Sequence, residues 1–514
     1  MSRKRGDTGR AALAGLVASG GGLAISELLS GFLHLRVSPV EAVAESIIRH
    51  TPGSVIEFVI SRVGRNDKPL VIATTLLGLG VLSALAGVLA RRSRLAAEVV
   101  FAVMGVVLLL AVRSRLPTGD TRYIPALVGV ATAMLLLSWL TKRAATTAEQ
   151  ASDDRVPAAR QAQSRRSFLG LVVVVAASAV AVGATGRVLA QGREKVEAAR
   201  RALTSRFRTV PAPAGVSTGV HGVTPWVTPS ADFYRIDTSL SVPLVTPADW
   251  QVRIHGAVDK EITLSYDDLL ARGLSEAWLT LCCVSNPVGG GLIGNAYWTG
   301  VPIAPILAEA GPHADADAVL SRSVDGWTAG TPLGALTDGR NAMFAVAMNG
   351  QPLAPEHGFP VRMVVPGLYG YVSATKWVVD LEVTRFSDFS AFWTDRGWSE
   401  KGPVKTQSRI DVPRNGDGVR SGTVMVAGVA WAQHRGITKV EVQVDDGPWQ
   451  RCRLAADPTI DSWRQWALPW QATRGSHTLR VRATDGTGAT QTERVADVVP
   501  NGASGWDSIG VTVS

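Results

Sequence analysis

The stretch MNGQPLAPEHGFPVRMVVPGLYGYVSATKW, residues 348–377, strings His357, Arg362, Ser373, Thr375 and Lys376 along a segment repeatedly broken by glycine and proline. Basic and hydroxyl groups around a constrained loop suit a phosphate-bearing ligand, because guanidinium and ammonium groups pair with its oxygens. The same pattern also fits a pair of strands with solvated polar ends, and these residues alone leave both readings open. Upstream, LTLCCVSNPVGGGLIGNAYWTG (279–300) ends an apolar strand in Cys282 and Cys283, then enters a glycine-rich turn where backbone can approach a ligand closely. A cysteine in an apolar strand is more often an inert core residue.

Working outward, the region from about residue 205 is rich in Pro, Gly and Trp and lacks any further run long enough to span a bilayer, which marks it as a soluble region. Residues 205–400 mix strands with short helices at Tyr266–Arg272 and Ile303–Glu309, an α+β pattern. After Lys405 nearly everything reads as strands. VMVAGVAW, VEVQVDDGPW and VRATDGTG alternate apolar and polar residues and carry Asp-Gly turns, so 401–514 is expected to form an all-β, immunoglobulin-like sandwich.

The first 190 residues differ. Apolar stretches at roughly Ala11–Phe32, Leu70–Leu89, Leu95–Val112, Tyr123–Leu140 and Phe168–Gly186 each approach the ~20 residues needed to cross a bilayer, which predicts a five-span transmembrane α-helical anchor over 1–190. Val40–Val63 has the spacing of an amphipathic helix lying on the membrane. The basic clusters before spans one and five and between spans two and three fall on one side, read as cytoplasmic. A second basic run, from Arg187 to Arg208, opposes that orientation for the last span. Ser164-Arg165-Arg166-Ser167-Phe168-Leu169 resembles a twin-arginine export signal, which would carry a folded C-terminal part across the membrane. Together these give a multi-pass protein of the cytoplasmic membrane with its soluble part outside. Only 18% of residues are charged, against a typical share of about 25%, and the net charge of +9 clusters beside the apolar runs. That distribution points to a lipid bilayer as partner and away from nucleic acid.

LCCVSN, MNGQPLAPEHGFPVRMVVPG, FYRIDTS and VSATKW resemble the molybdopterin-binding segments of the sulfite oxidase superfamily, over about residues 205–500. The resemblance implies a molybdenum and molybdopterin cofactor. It makes Cys283, three residues before Asn286, the metal ligand and a catalytic group, and thiolate is a donor suited to this metal. It also implies that Phe233, Tyr234 and Arg235 line the pterin, that His357 and Arg362 hydrogen-bond it, and that Ser373, Thr375 and Lys376 hold its phosphate. Asp325 is assigned to the same shell, and the C-terminal sandwich would pair two copies as a homodimer.

Departures from the family pattern bear on substrate. Sulfite oxidases follow the cysteine motif with arginines that grip the oxoanion, whereas Pro287, Val288 and Gly289 follow Asn286 here. The family's active-site tyrosine corresponds to Trp398, which has an N–H donor and no titratable hydroxyl. With Trp393, Tyr369 and Tyr371 nearby, that suits a neutral or organic oxide rather than sulfite. None of the eight histidines forms a helix-spaced pair within a span, and three cysteines are too few for a four-cysteine cluster, so neither haem nor an iron–sulfur cluster is expected. The electron partner would then be a separate redox protein or quinone docking at the spans. Glu27 is the one charge in span one. The expected function is two-electron oxygen-atom transfer on a small-molecule substrate; the alternative is an extracytoplasmic binding or assembly protein that kept the fold without catalysis.

Overall fold

The computed structural model describes residues 2–33, 39–51, 67–113, 123–150, 170, 192–239 and 241–514. They form two units, one comprising Met1–Lys195 with Thr238–Leu244, the other Val196–Asp237 with Val245–Ser514.

The first unit is helical: α1 (Ser2–Phe32), α2 (Pro39–His50), α3 (Asp67–Leu89), α4 (Arg94–Arg113) and α5 (Ile124–Gln150). Among the described residues four of these, all but α2, are long and apolar enough to cross a membrane. These are four of the five expected spans; the fifth stretch, Phe168–Gly186, lies outside the described residues apart from Gly170, as does the twin-arginine-like 164–169. The same holds for the amphipathic segment beyond residue 51; its first part is α2, which turns Ala42 and Ala44 inward. α5 runs through Gln150.

Small residues bring these helices together backbone to backbone. A Cβ on Gly15 would lie 1.9 Å from the Ser83 carbonyl oxygen, and one on Gly87 2.0 Å from that of Ala11, so α1 and α3 meet where only hydrogen atoms fit. Gly22 approaches the Gly129 carbonyl of α5 in the same way. Ser30, Thr75 and Ser83 donate their hydroxyl protons to carbonyls one turn back on their own helices. These three hydroxyls are thereby satisfied without water, while Leu77, Leu95 and Leu135 remain exposed on the outer face.

The second unit begins with an α+β region. One five-stranded sheet has the order β2-β1-β10-β5-β6 and comprises β1 (Gln251–Gly256), β2 (Ile262–Ser265), β5 (Ala318–Ser323), β6 (Thr328–Pro332) and β10 (Val378–Thr384). A second runs β3-β4-β7-β8, from β3 (Ser275–Cys282), β4 (Ile293–Pro302), β7 (Met343–Met348) and β8 (Gln351–Pro352), with β9 (Arg362–Val364) also on β7. β7 is the unbroken apolar run MFAVAM and is buried along its whole length, as a strand covered on both faces must be. The expected helices form as α6 (Tyr266–Ala271), opened by a Ser265/Asp268 capping box, and α7 (Ile303–Ala310), closed by Gly311 at positive φ.

The C-terminal region is β-rich. Its four-stranded sheet, β11-β13-β17-β16, takes β11 (Gln407–Val412), β13 (Gly422–Trp431), β16 (Arg453–Leu454) and β17 (Arg464–Ala472). Its five-stranded sheet, β12-β19-β18-β14-β15, takes β12 (Gly418–Val419), β14 (Ile437–Val444), β15 (Gln450–Arg451), β18 (Gly475–Asp485) and β19 (Asp507–Val513). Val426, Trp466 and Leu468 from one sheet share a core with Val440, Leu479 and Val511 from the other. This region also covers the exposed edge of β3: Thr280 donates its N–H to the Asp461 carbonyl at 3.0 Å, and its own carbonyl accepts from Gln433 Nε2 at 3.2 Å.

Candidate functional site

β3 delivers Cys282 and Cys283 at its end, and the turn back to β4 is closed by short-range bonds. Cys283 N–H donates to the Leu292 carbonyl (2.9 Å), Asn286 N–H to the Cys283 carbonyl (3.1 Å), and Leu292 N–H to Asn286 Oδ1 (2.8 Å). Both thiols are buried, and burial pushes both up in pKa, so an ionised sulfur here needs a cation beside it. Of the two, Cys282 belongs to the apolar core and Cys283 lies at its margin, 9% exposed. Tyr234 links this end of β3 to the basic residues. Burial raises its phenol well above the usual range, the Cys283 and Cys282 sulfurs raise it further, and the Arg362 cation opposes them.

The basic residues converge behind it. Arg362 starts β9 and is buried, and among the described residues its guanidinium hydrogen-bonds only to main-chain carbonyls, those of Met363 (3.4 Å), His357 (3.3 Å) and Ala374 (3.2 Å). Burial pulls it down to about 10. Lys376 is buried too and donates to Asp237 (3.1 Å) and the Glu356 carbonyl (2.9 Å); burial pulls it down to about 8 despite the carboxylate. Arg235 shares the same carboxylate at 2.9 Å, with its side chain 39% exposed. Lys376 and Arg235 thus share one carboxylate, while the buried Arg362 cation has main-chain carbonyls as its hydrogen-bond partners, an arrangement that an anionic ligand would stabilise.

His357 adds direction. Burial first, and the Arg362 and Lys376 cations next, hold its pKa down to about 4, so the ring is neutral at pH 7. Its Nε2 lies 3.2 Å from the Ser230 carbonyl, which can only accept, so Nε2 carries the proton. That leaves Nδ1 a bare lone pair, buried and without a hydrogen-bond partner. A ligand N–H donor would satisfy it. Phe233 packs edge-on to this ring at 5.9 Å and stacks on Tyr234 at 5.4 Å, so the FYR segment forms one wall.

The remaining expected residues sort differently. Ser373 donates its hydroxyl to the Tyr369 carbonyl at 2.9 Å, and Thr375 sits 2.7 Å from the Ser321 hydroxyl, which itself bonds the Ala329 carbonyl. Both hydroxyls point into the protein, so Lys376 is the member of that trio with its charge in the pocket. Asp325 occupies the turn between β5 and β6 and accepts from the Trp327 N–H at 3.0 Å, in a turn tied to the strand after Lys376 by Val324 N–H to Trp377 O (3.0 Å). Trp398 is buried between Tyr371 and Trp393, with ring centroids 5.9 and 6.4 Å away, in an aromatic cluster.

Four contributors escaped the sequence reading. Ser230 supplies the carbonyl that orients His357, Asp237 balances Lys376, and Trp298 offers its face to Arg362 at 5.4 Å. Asn349, at φ 53°, bonds Tyr297 N–H, the Thr228 carbonyl and the Ser230 hydroxyl, and so holds the segment that orients His357. Of these, only Asn349 had a local signal: Asn-Gly is the two-residue hairpin turn, and it joins β7 to β8.

A cluster of cations, a neutral imidazole with an unpartnered buried acceptor and one marginal thiol define a protein built to hold an anionic ligand that carries an N–H donor. These residues fit a pyranopterin phosphate. Among the described residues no group of three or more His, Cys, Asp or Glu could hold a metal.

Comparison with known proteins agrees. The family model described as the oxidoreductase molybdopterin binding domain matches residues 239–393. An uncharacterised oxidoreductase of Bacillus subtilis, YuiH, is 34% identical over 153 residues, covering 30% of this chain and 74% of that one. Mouse mitochondrial sulfite oxidase is 30% identical over 322 residues, covering 53% of this chain and 58% of its own length. Among solved structures, the sulfane dehydrogenase SoxCD of Paracoccus pantotrophus aligns with a TM-score of 0.47 at 24% identity, over 56% of this chain and 82% of that one. The chain belongs to the sulfite oxidase superfamily of molybdopterin-binding oxidoreductases. It spans a little over half the length of the mouse and human sulfite oxidases that it matches.

Proposed function

We propose that the chain is a membrane-anchored molybdenum oxidoreductase that transfers an oxygen atom to or from a small neutral or organic oxide, such as a sulfoxide or N-oxide. The observation that carries this reading is the pairing of a marginal thiol, Cys283, with an under-neutralised cationic pocket and the free Nδ1 acceptor of His357. Arg362 and Lys376 would neutralise the pterin phosphate, His357 would accept a pterin N–H, Phe233 and Tyr234 would wall the ring system, and Cys283 would ligate the metal. The bound cofactor supplies two-electron redox chemistry and accepts or donates the oxygen atom. The chain's own part is to exclude water around the thiolate, to fix the ligand's orientation through a single histidine tautomer, and to keep its cations in place without large carboxylate competition.

Sulfite itself is disfavoured because Pro287, Val288 and Gly289 stand where oxoanion-gripping arginines would follow Asn286. Trp398 in the aromatic cluster would shape the substrate side. The two-sheet C-terminal region is read as an immunoglobulin-like domain that pairs two copies. The apolar helices are read as a multi-pass anchor in the cytoplasmic membrane, with the second unit outside after twin-arginine export. A separate redox protein or quinone would supply or accept the two electrons, according to the direction of oxygen transfer.

The test is metal and pterin content of the purified full chain, beside a dye-linked screen of sulfite, sulfoxides, N-oxides and nitrate. One molybdenum per chain, lost in Cys283→Ser together with turnover, is the expected result. Full metal content and activity in that variant would overturn the ligand assignment.

A further inference from the structure

The turn after Cys283 does not stand on its own bonds alone. Its outward carbonyl, that of Gly290, accepts a hydrogen bond at 2.7 Å from Nη1 of Arg409, which lies on β11 in the C-terminal region. The same guanidinium donates through Nε to Asp411 at 2.7 Å and through Nη2 to the Thr224 hydroxyl at 2.8 Å. Asp411 in turn accepts the Thr224 N–H at 3.0 Å. All three nitrogens of the fork are therefore engaged on three separate chain segments, with the Arg409 and Asp411 side chains only 12% and 8% exposed. A planar, fully bonded guanidinium has little freedom to shift.

A second grip lies one residue away. A Cβ on Gly289, which sits at φ 72°, would fall 2.5 Å from Asp507 Oδ1, so that carboxylate packs on bare backbone, while its other oxygen accepts the Ile410 N–H at 2.8 Å. Gly290 is equally bare, because a Cβ there would meet Asn286 Oδ1 at 2.5 Å. Asn286 and Leu292 are the residues whose bonds close the turn onto Cys283. Movement of Gly290 is therefore passed to the cysteine main chain through two hydrogen bonds.

We propose that Arg409 is a positioning residue for the proposed metal ligand, setting where the Cys283 sulfur points by clamping the Gly290 carbonyl. This rests on the reading of Cys283 as that ligand, although the clamp itself can be measured without metal. Arg409→Lys is the informative variant: it keeps a cation for Asp411, but a single ammonium cannot span the Gly290 carbonyl, Asp411 and Thr224 together. In the full chain, purified cofactor-free in detergent, iodoacetamide labelling is followed site by site by mass spectrometry. Cys283 is expected to label about tenfold faster or more in Arg409→Lys than in the parent, with Cys452 unchanged. In the cofactor-loaded chain the Mo(V) electron paramagnetic resonance spectrum should shift, because the metal–sulfur geometry has changed.

Unchanged Cys283 labelling and an unchanged Mo(V) spectrum in a folded Arg409→Lys chain would overturn the assignment. So would equal acceleration at Cys283 and Cys452, which would mean general loosening. If Arg409→Lys does not fold, Arg409→Met with Asp411→Asn, which removes both charges together, is measured in the same way; failure of both to fold assigns Arg409 a purely structural role and refutes the proposal. Retention of molybdenum by Cys283→Ser would instead refute the ligand reading while leaving the labelling result to stand.

Discussion

Lys376 offers a direct test of the cationic pocket through the pH dependence of folding. In the folded chain burial holds its ammonium down to about 8, against an ordinary value of 10.5. A tenfold change in proton affinity corresponds to about 1.4 kcal/mol, so keeping Lys376 protonated and buried costs the cofactor-free fold roughly 3 kcal/mol at neutral pH. For a base whose folded value is lowered, the unfolded chain binds more protons between the two values. Stability therefore rises with pH through that window, the cost being fully present below about 8 and relieved by 10.5. Integrated from pH 7 to pH 10, the gain is about 2–3 kcal/mol. The three buried cysteines titrate in the opposite sense, because their raised values make the fold lose stability as the unfolded thiols ionise. A difference measurement removes them. Unfolding free energies of the parent and Lys376→Met, both cofactor-free, are compared at pH 7 and pH 10 by denaturant titration. The parent should gain about 2–3 kcal/mol on the variant as pH rises, and a bound phosphate-bearing cofactor should flatten the difference by holding the ammonium charged. A difference that is flat in the cofactor-free proteins, or that moves the other way, would refute the picture of a buried, under-neutralised ammonium.

Three further outcomes are expected. Arg362→Met should leave the cofactor-free fold within about 1 kcal/mol of the parent, since the lost carbonyl bonds are long and the buried charge is relieved, yet it should abolish cofactor retention; thermal melting and molybdenum content measure the two halves. Gly290→Ala must displace Asn286 Oδ1, 2.5 Å from the new methyl, and should cost about 1–3 kcal/mol together with faster alkylation of Cys283. Gly87→Val places a branched side chain where the Ala11 carbonyl lies 2.0 Å from the Cβ position, so the contact between α1 and α3 should open and the detergent-solubilised helical unit should melt earlier. An unchanged melting curve would show that this close approach is not what holds the pair.

The sequence by itself determined the elements whose cause is local. Apolar runs of bilayer length became α1, α3, α4 and α5, and the alternation in VEVQVDDGPW and VRATDGTG became the adjacent strands β14 and β18. Short-range signals of this kind depend on neighbours in the chain, so they can be read without a fold. Cys283, His357, Arg362 and Lys376 were found through a motif, because isolated residues of those types read equally well as core or solvated surface. Only the tertiary structure decided what each does. It paired Lys376 with Asp237, 139 residues away, turned the Ser373 and Thr375 hydroxyls inward, and left the His357 Nδ1 lone pair bare because Ser230 holds the opposite nitrogen. It also brought Arg409 onto Gly290 across 119 residues. Burial and hydrogen-bond partners depend on which distant segments meet, and no local pattern encodes that.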